Sequence, residues 1–135
     1  MTQPAIGKAP AAPAKGTRIA LWILQAVAAV AFLGAGGAKL AGADAMVQLF
    51  AAVGVGQWFR YVTGAIEVGS SVLLWVPGLG ALGALLLACT MTGAILTHFF
   101  ILHTSPAGPV FLLALVLAIA WLRRRQIAAL LGRSA

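Results

Sequence analysis

Glu67 is an acidic residue in the middle of an otherwise largely apolar stretch, residues 60–77. Thr63, Ser70 and Ser71 lie at helical spacing from it, so a helix would gather them on the face that carries the carboxylate. A charge at the centre of a lone membrane helix costs roughly 2.5–3.5 kcal/mol on insertion scales. The helix therefore needs neighbours that cover its polar face and supply a cation or hydrogen-bond donors.

Suitable partners for Glu67 stand at the ends of the neighbouring apolar segments. Lys39 ends the first segment, Arg60 begins the second, and His98 lies near the end of the third. With alternating helix directions and a 1.5 Å rise per residue, Glu67 is roughly 10 Å and His98 roughly 7–8 Å from the outer membrane face. Lys39 and His98 are both candidates for pairing with the carboxylate. The sequence predicts an outward-opening polar pocket, with no comparable cluster in the inner half, formed by Lys39, Arg60, Thr63, Glu67, Thr97 and His98.

Two interpretations of this cluster stay open. Intramembrane ionisable groups commonly mark functional sites, so Glu67 and His98 are candidates for binding a small molecule or moving a proton. Alternatively, Glu67 is a structural staple, which with Lys39 or His98 fixes the register of the helices. One Glu and two His without close spacing do not favour a metal site. The single cysteine, Cys89, lies in an apolar run, where packing is the expected role.

The composition is that of an integral membrane protein. Of the 135 residues, 62% are hydrophobic and 8% are charged, whereas soluble domains average about 25% charged residues. The net charge is +7, and its basic residues concentrate near the two ends of the chain. That distribution is typical of charge flanking membrane spans, so the lipid bilayer is the expected partner and nucleic acid is not.

The apolar runs predict an all-α membrane protein, a four-transmembrane-helix bundle with a short amphipathic helix between helices 1 and 2. The amphipathic helix is predicted within 40–58, where Met46, Leu49, Phe50 and Val53 recur at i, i+3, i+4 and i+7. Asp44 would cap this helix or place a charge in its first turn. The predicted segments are a disordered cytoplasmic tail at 1–17, a membrane domain at 18–125 with spans at about 19–39, 59–76, 79–102 and 107–122, and a short cytoplasmic tail at 126–135.

Four spans place both termini on one side of the membrane. Basic residues favour the cytoplasmic side, and the terminal clusters hold most of them, whereas the remaining loops hold only Lys39 and Arg60. We therefore predict a multi-pass protein of a bacterial-type cell inner membrane with both termini in the cytoplasm.

Three short motifs carry a family resemblance. Residues 36–40 read GGAKL, residues 61–69 read YVTGAIEVG, and residues 91–98 read MTGAILTH. Their order resembles the DoxX-like family of small four-helix membrane proteins over about residues 19–122. Lys39, Glu67 and His98 match the polar positions of that family. The resemblance implies an accessory or membrane subunit of a redox system, with quinone as the candidate cofactor and a redox protein as the candidate partner.

Other functional classes remain as alternatives. A small proton-coupled transporter is one, although small multidrug resistance proteins carry their essential Glu in the first helix, where this chain has no acid before Lys39. A structural or assembly factor without a ligand is another. An enzyme acting alone is not expected. Small-residue faces at 65–69 and 93–97 are candidates for contacts within one chain or within a homo-oligomer.

Overall fold

The computed structural model describes residues 14–132, and every described element is helical. The prediction of a disordered tail lies, for residues 1–13, outside the described residues, whereas residues 15–17 already belong to the first helix. The elements are α1 (Lys15–Ala41), α2 (Asp44–Val53), α3 (Gln57–Leu73), α4 (Gly80–Thr97) with a π-helical turn (His98–Leu102), α5 (Ala107–Leu122) and α6 (Arg124–Leu130). The all-α prediction is confirmed over this range.

The four long helices pack in a ring. Helix α1 contacts α3, α3 contacts α4, α4 contacts α5, and α5 closes the ring on α1. The buried core between them is apolar and includes Phe32, Leu74, Leu87, Val116 and Ile119. Helix α2 lies against α3 and the π-helical turn, and α6 lies against α4 and α5. This arrangement leaves many large apolar side chains on the outer surface, as a bilayer-embedded protein requires.

Glycines set the two closest helix approaches. A Cβ on Gly36 of α1 would lie 2.9 Å from the carbonyl oxygen of Gly64 on α3, and a Cβ on Gly64 would lie 3.0 Å from the carbonyl oxygen of Gly36. A Cβ on Gly83 of α4 would lie 2.7 Å from the carbonyl oxygen of Ser70 on α3. Small residues permit such backbone contact, so these positions fix how α1 and α4 sit on α3.

Membrane-spanning length is clear for two helical segments, Lys15–Ala41 and Gly80–Leu102. A third would be added if α5 and α6, which are bent by 72° at their junction, formed one broken span. Helix α3 has 17 residues and measures roughly 26 Å at 1.5 Å per residue, slightly short of a 30 Å hydrocarbon core. The structure thus supports a membrane helical bundle, and the number of crossings remains a prediction.

A second polar cluster, which the sequence did not predict, lies at the end of the bundle opposite Lys39 and Glu67. Gln25 of α1 is 2% exposed, and its Oε1 accepts a hydrogen bond of 2.6 Å from Nε of Arg123. Gln126 Oε1 accepts a hydrogen bond of 3.1 Å from the backbone N–H of Ala81, at the start of α4. The prediction of a single cluster was therefore wrong. Arg123 directly follows α5, and its side chain points back into the bundle. Its position in the sequence, within a cluster of arginines at the end of an apolar run, does not indicate this orientation.

Replacement of Gln25 tests this second cluster. Because the hydrogen bond joins a buried amide to a charged group, Gln25→Leu should lower the free energy of unfolding by roughly 1.5–3 kcal/mol. Detergent-based unfolding followed by circular dichroism would measure the loss. The control is Gln48→Leu, since Gln48 is exposed on α2. Equal stability of the two variants would show that the Gln25–Arg123 contact contributes little.

Candidate functional site

The centre of the site is an ion pair between α1 and α3. Lys39 Nζ donates a hydrogen bond of 3.0 Å to Glu67 Oε2, and the two side chains are 13% and 2% exposed. Lys39 is in the last turn of α1, where the helix dipole also favours a cation. The Gly36–Gly64 contact one turn away brings the two helices close enough for the pair to form. Of the two candidate partners, Lys39 is the cation that holds the carboxylate.

Arg60 has a different role from the predicted one, because it does not line the cavity described below. It is 4% exposed, and its Nη1 donates to the backbone carbonyl of Lys39. The last carbonyls of a helix lack partners within the helix, so a nearby arginine is well placed to satisfy one. Arg60 therefore caps the end of α1 and holds the backbone from which the Lys39 ammonium extends.

A chain of hydrogen bonds joins this capped helix end to α2. Arg60 Nε donates to Gln57 Oε1 over 2.7 Å, and Gln57 Nε2 donates to the carbonyl of Val47 over 3.0 Å. Asp44 supplies the first-turn charge of α2, but it makes no side-chain cap hydrogen bond. The position of α2 is thus coupled through Gln57 and Arg60 to the backbone of Lys39.

A cavity of about 560 Å³ lies beside the ion pair. Its volume falls within the range of small-molecule sites, roughly 300–1,000 Å³. The lining is mainly apolar and comes from α1, α2, α3, α4, the π-helical turn and α5. Its residues are Ala35, Lys39, Met46, Leu49, Phe50, Val53, Phe59, Val62, Thr63, Ile66, Glu67, Cys89, Thr90, Met91, Gly93, Ala94, Thr97, His98, Leu102, Gly108, Pro109 and Leu112.

The hydroxyl groups of Thr63 and Thr97, which line the cavity, already donate hydrogen bonds to backbone carbonyls. Thr63 Oγ1 donates to the carbonyl of Phe59 and Thr97 Oγ1 to the carbonyl of Gly93, each over 2.8 Å and within its own helix. Their oxygens still carry lone pairs, so they can accept hydrogen bonds from a ligand. The cavity wall therefore offers hydroxyl acceptors and one ammonium–carboxylate pair within an apolar surround.

His98 lines the same cavity but does not bind Glu67. Its Nδ1 lies 2.7 Å from Thr104 Oγ1 in the following loop. The α-helix ends at Thr97, and His98 begins the π-helical turn, a form that often occurs at functional sites. His103 then adopts a left-handed backbone, with φ of 51°, and ends the turn. His98 therefore ties the π-helical turn to its loop while its ring borders the cavity.

Helix α2 forms one wall of the cavity, and the direction in which the cavity opens relative to the membrane stays a prediction. Met46, Leu49, Phe50 and Val53, the apolar stripe of α2, all line the cavity, and none of them is exposed. The sequence indicated the stripe but not what it faces. The spacing of the stripe could have predicted this wall. A helix that is too short to span the membrane but has one apolar face is expected to pack that face against other helices.

Comparison with known protein families identifies the family of the chain. The family model of the DoxX-like family matches residues 23–123, well over half of the chain. The chain belongs to the DoxX-like family. Every residue that lines the cavity of this DoxX-like protein lies within the matched region. No curated protein matches the chain, and no solved structure matches it.

The chemistry available to this DoxX-like protein follows from the lining. Within residues 14–132, no group of three or more His, Cys, Asp or Glu side chains could hold a metal ion. The ammonium of Lys39 and the hydroxyl oxygens of Thr63 and Thr97 suit a head group that both accepts and donates hydrogen bonds. The apolar remainder suits a hydrocarbon body. The donor set therefore fits an amphipathic organic molecule.

Proposed function

We propose that this DoxX-like protein is a four-span protein of a bacterial-type inner membrane with both termini in the cytoplasm, and that its cavity binds a quinone. In this proposal it serves as an accessory or membrane subunit of a redox system and docks a redox partner protein. The observation that carries the proposal is the apolar cavity of about 560 Å³ with the buried Lys39–Glu67 pair in its wall.

The packing supports the topology. Arg123 contacts both Gln25 of α1 and the position of Gly80 at the start of α4, so the beginning of α1, the α3–α4 turn and the end of α5 share one end of the bundle. That end also carries the described basic residues Lys15, Arg18, Arg124 and Arg125, as a cytoplasmic surface would. The ring of α1, α3, α4 and α5 then crosses the bilayer four times, with α3 tilted little because it is short.

The arrangement of the site supports quinone binding. Lys39 would donate a hydrogen bond to a carbonyl oxygen of the head group, and the Thr63 and Thr97 oxygens would accept from a hydroxyl of the reduced form. Glu67 holds the Lys39 side chain in place through its 3.0 Å hydrogen bond. The quinone would supply the redox chemistry, and the residues of this chain would bind it, orient it and exclude water.

The test compares amide variants of the two acidic residues of the chain. Glu67→Gln keeps the volume but weakens the hold on Lys39, so a bound quinone should be lost or strongly depleted. Asp44→Asn is the matched control, because Asp44 is exposed on α2 and does not line the cavity. Native mass spectrometry of protein purified in mild detergent measures what stays bound. Identical ligand content in all three proteins, or bulk lipid alone, would contradict the proposal.

A structural role for the ion pair is the second candidate. The pair joins α1 to α3 next to the Gly36–Gly64 contact, so it would also fix the register of these helices. Proton-coupled transport has less support, because the Glu67 carboxylate is already held by Lys39. If the Glu67→Gln variant fails to insert or unfolds in mild detergent, a structural role for the ion pair explains the site better than ligand binding does.

A further inference from the structure

We propose that the cavity is entered sideways from the bilayer, through a gap between α3 and α4, and that its ligand has an apolar tail and an uncharged head. This inference rests on the proposed function, since it takes the cavity as a ligand site. It adds the route and the residues that form the entrance.

The exposed residues of the lining locate the entrance. Val62 and Ile66 on α3 are 44% and 41% exposed, and Cys89 and Gly93 on α4 are exposed as well. Each pair is spaced by four residues, so each forms one edge of its helix. The two edges flank the gap between α3 and α4 and form a mouth that faces the surrounding lipid.

The other walls leave no comparable opening among the described residues. The lining residues of α1 and α2 are all buried or half-buried, and α2 reaches from α3 to the π-helical turn. At the inner end, α3 and α4 close on each other at Gly83, where a Cβ would lie 2.7 Å from the carbonyl oxygen of Ser70. Gly108, at the beginning of α5, is the remaining exposed residue of the lining.

The charges of the wall select the head group. Among residues 14–132, Lys39 and Glu67 are the only Lys, Arg, Asp or Glu side chains that line the cavity, and they neutralise each other. A charged head would have to break this pair in an apolar surround, leaving one charge without its partner. An uncharged head with hydrogen-bonding groups binds without that loss, and its tail extends through the mouth into lipid.

Gly93 gives a sharp test of the entrance. A Cβ on Gly93 would meet no atom within 4 Å, so the fold should tolerate Gly93→Phe, and the added ring is expected to obstruct the mouth. Gly34→Phe is the matched control, because Gly34 on α1 is equally free and exposed but lies outside the cavity. The full-length chain in phosphatidylcholine nanodiscs would be titrated with a decyl-substituted benzoquinone, and bound probe would be counted by native mass spectrometry. Ile66→Trp, on the opposite rim, is the second blocking variant.

The wild type and Gly34→Phe should bind the probe alike, while Gly93→Phe and Ile66→Trp should bind it about tenfold more weakly or worse. Decanoate and decyltrimethylammonium, which carry charged heads on the same tail, should not displace the probe. Unchanged binding in both blocking variants would overturn the lateral entrance alone, and displacement by either charged probe would overturn the uncharged head. Absence of probe from the folded wild type would instead overturn the proposed function.

Discussion

Glu67→Ala should destabilise the protein by about 3–5 kcal/mol, because it leaves the Lys39 ammonium without its partner in a buried site. The carboxylate is 2% exposed and accepts the Lys39 hydrogen bond at 3.0 Å, so water compensates little for its removal. The free energy of unfolding in mixed detergent micelles, followed by circular dichroism, is the measurement. Lys39→Ala should lower the free energy of unfolding by a similar amount, because it leaves the buried Glu67 carboxylate without a partner.

The double variant Lys39→Ala, Glu67→Ala completes the cycle. If the two side chains act as a pair, the double variant loses much less than the sum of the single losses, because no unpaired charge remains buried. Additive losses would reject the pair as a coupled unit. The Glu67→Gln variant, measured in the same way, separates ligand binding from a structural role of the ion pair. A stable variant that has lost its ligand supports ligand binding, and an unstable variant supports the structural role.

Gly36→Leu should strongly destabilise the contact between α1 and α3, with an expected loss of about 3 kcal/mol or more in the free energy of unfolding. A Cβ at Gly36 already lies 2.9 Å from the carbonyl oxygen of Gly64 and 2.9 Å from Cγ2 of Val68. Backbone at Gly64 cannot move aside as a flexible side chain can, so the larger side chain must push α1 away from α3. That movement also separates Lys39 from Glu67, so stability and ligand content should fall together.

The neighbouring glycine provides the control. A Cβ on Gly37 would meet no atom within 4 Å, so Gly37→Leu should leave stability unchanged or raise it slightly through better helix propensity. The two variants carry the same residue at adjacent positions of α1. If both fold equally well, the close packing of α1 on α3 is not what positions the ion pair.

The sequence by itself determined the class of the protein and predicted which polar groups lie at one level along the helices. Apolar runs with few charges require a lipid environment, and this follows from composition alone. Depth follows from distance along a helix, so Lys39, Thr63, Glu67, Thr97 and His98 were expected at one level. The structure brings these residues to one cavity. The bounds of helix α5, Ala107–Leu122, coincide with the predicted segment 107–122, because a proline-containing loop and an arginine cluster delimit it, and its crossing of the membrane stays a prediction.

Only the tertiary structure decided which of these groups touch. Lys39 rather than His98 pairs with Glu67 because the Gly36–Gly64 contact brings α1 against α3. Arg60 turns away to cap α1. Gln25, a single polar residue in an apolar run, gains its partner Arg123 from 98 residues further along the chain. Such contacts depend on helix rotation and on backbone approach between distant segments, and neither quantity is encoded in the spacing of residues along one helix.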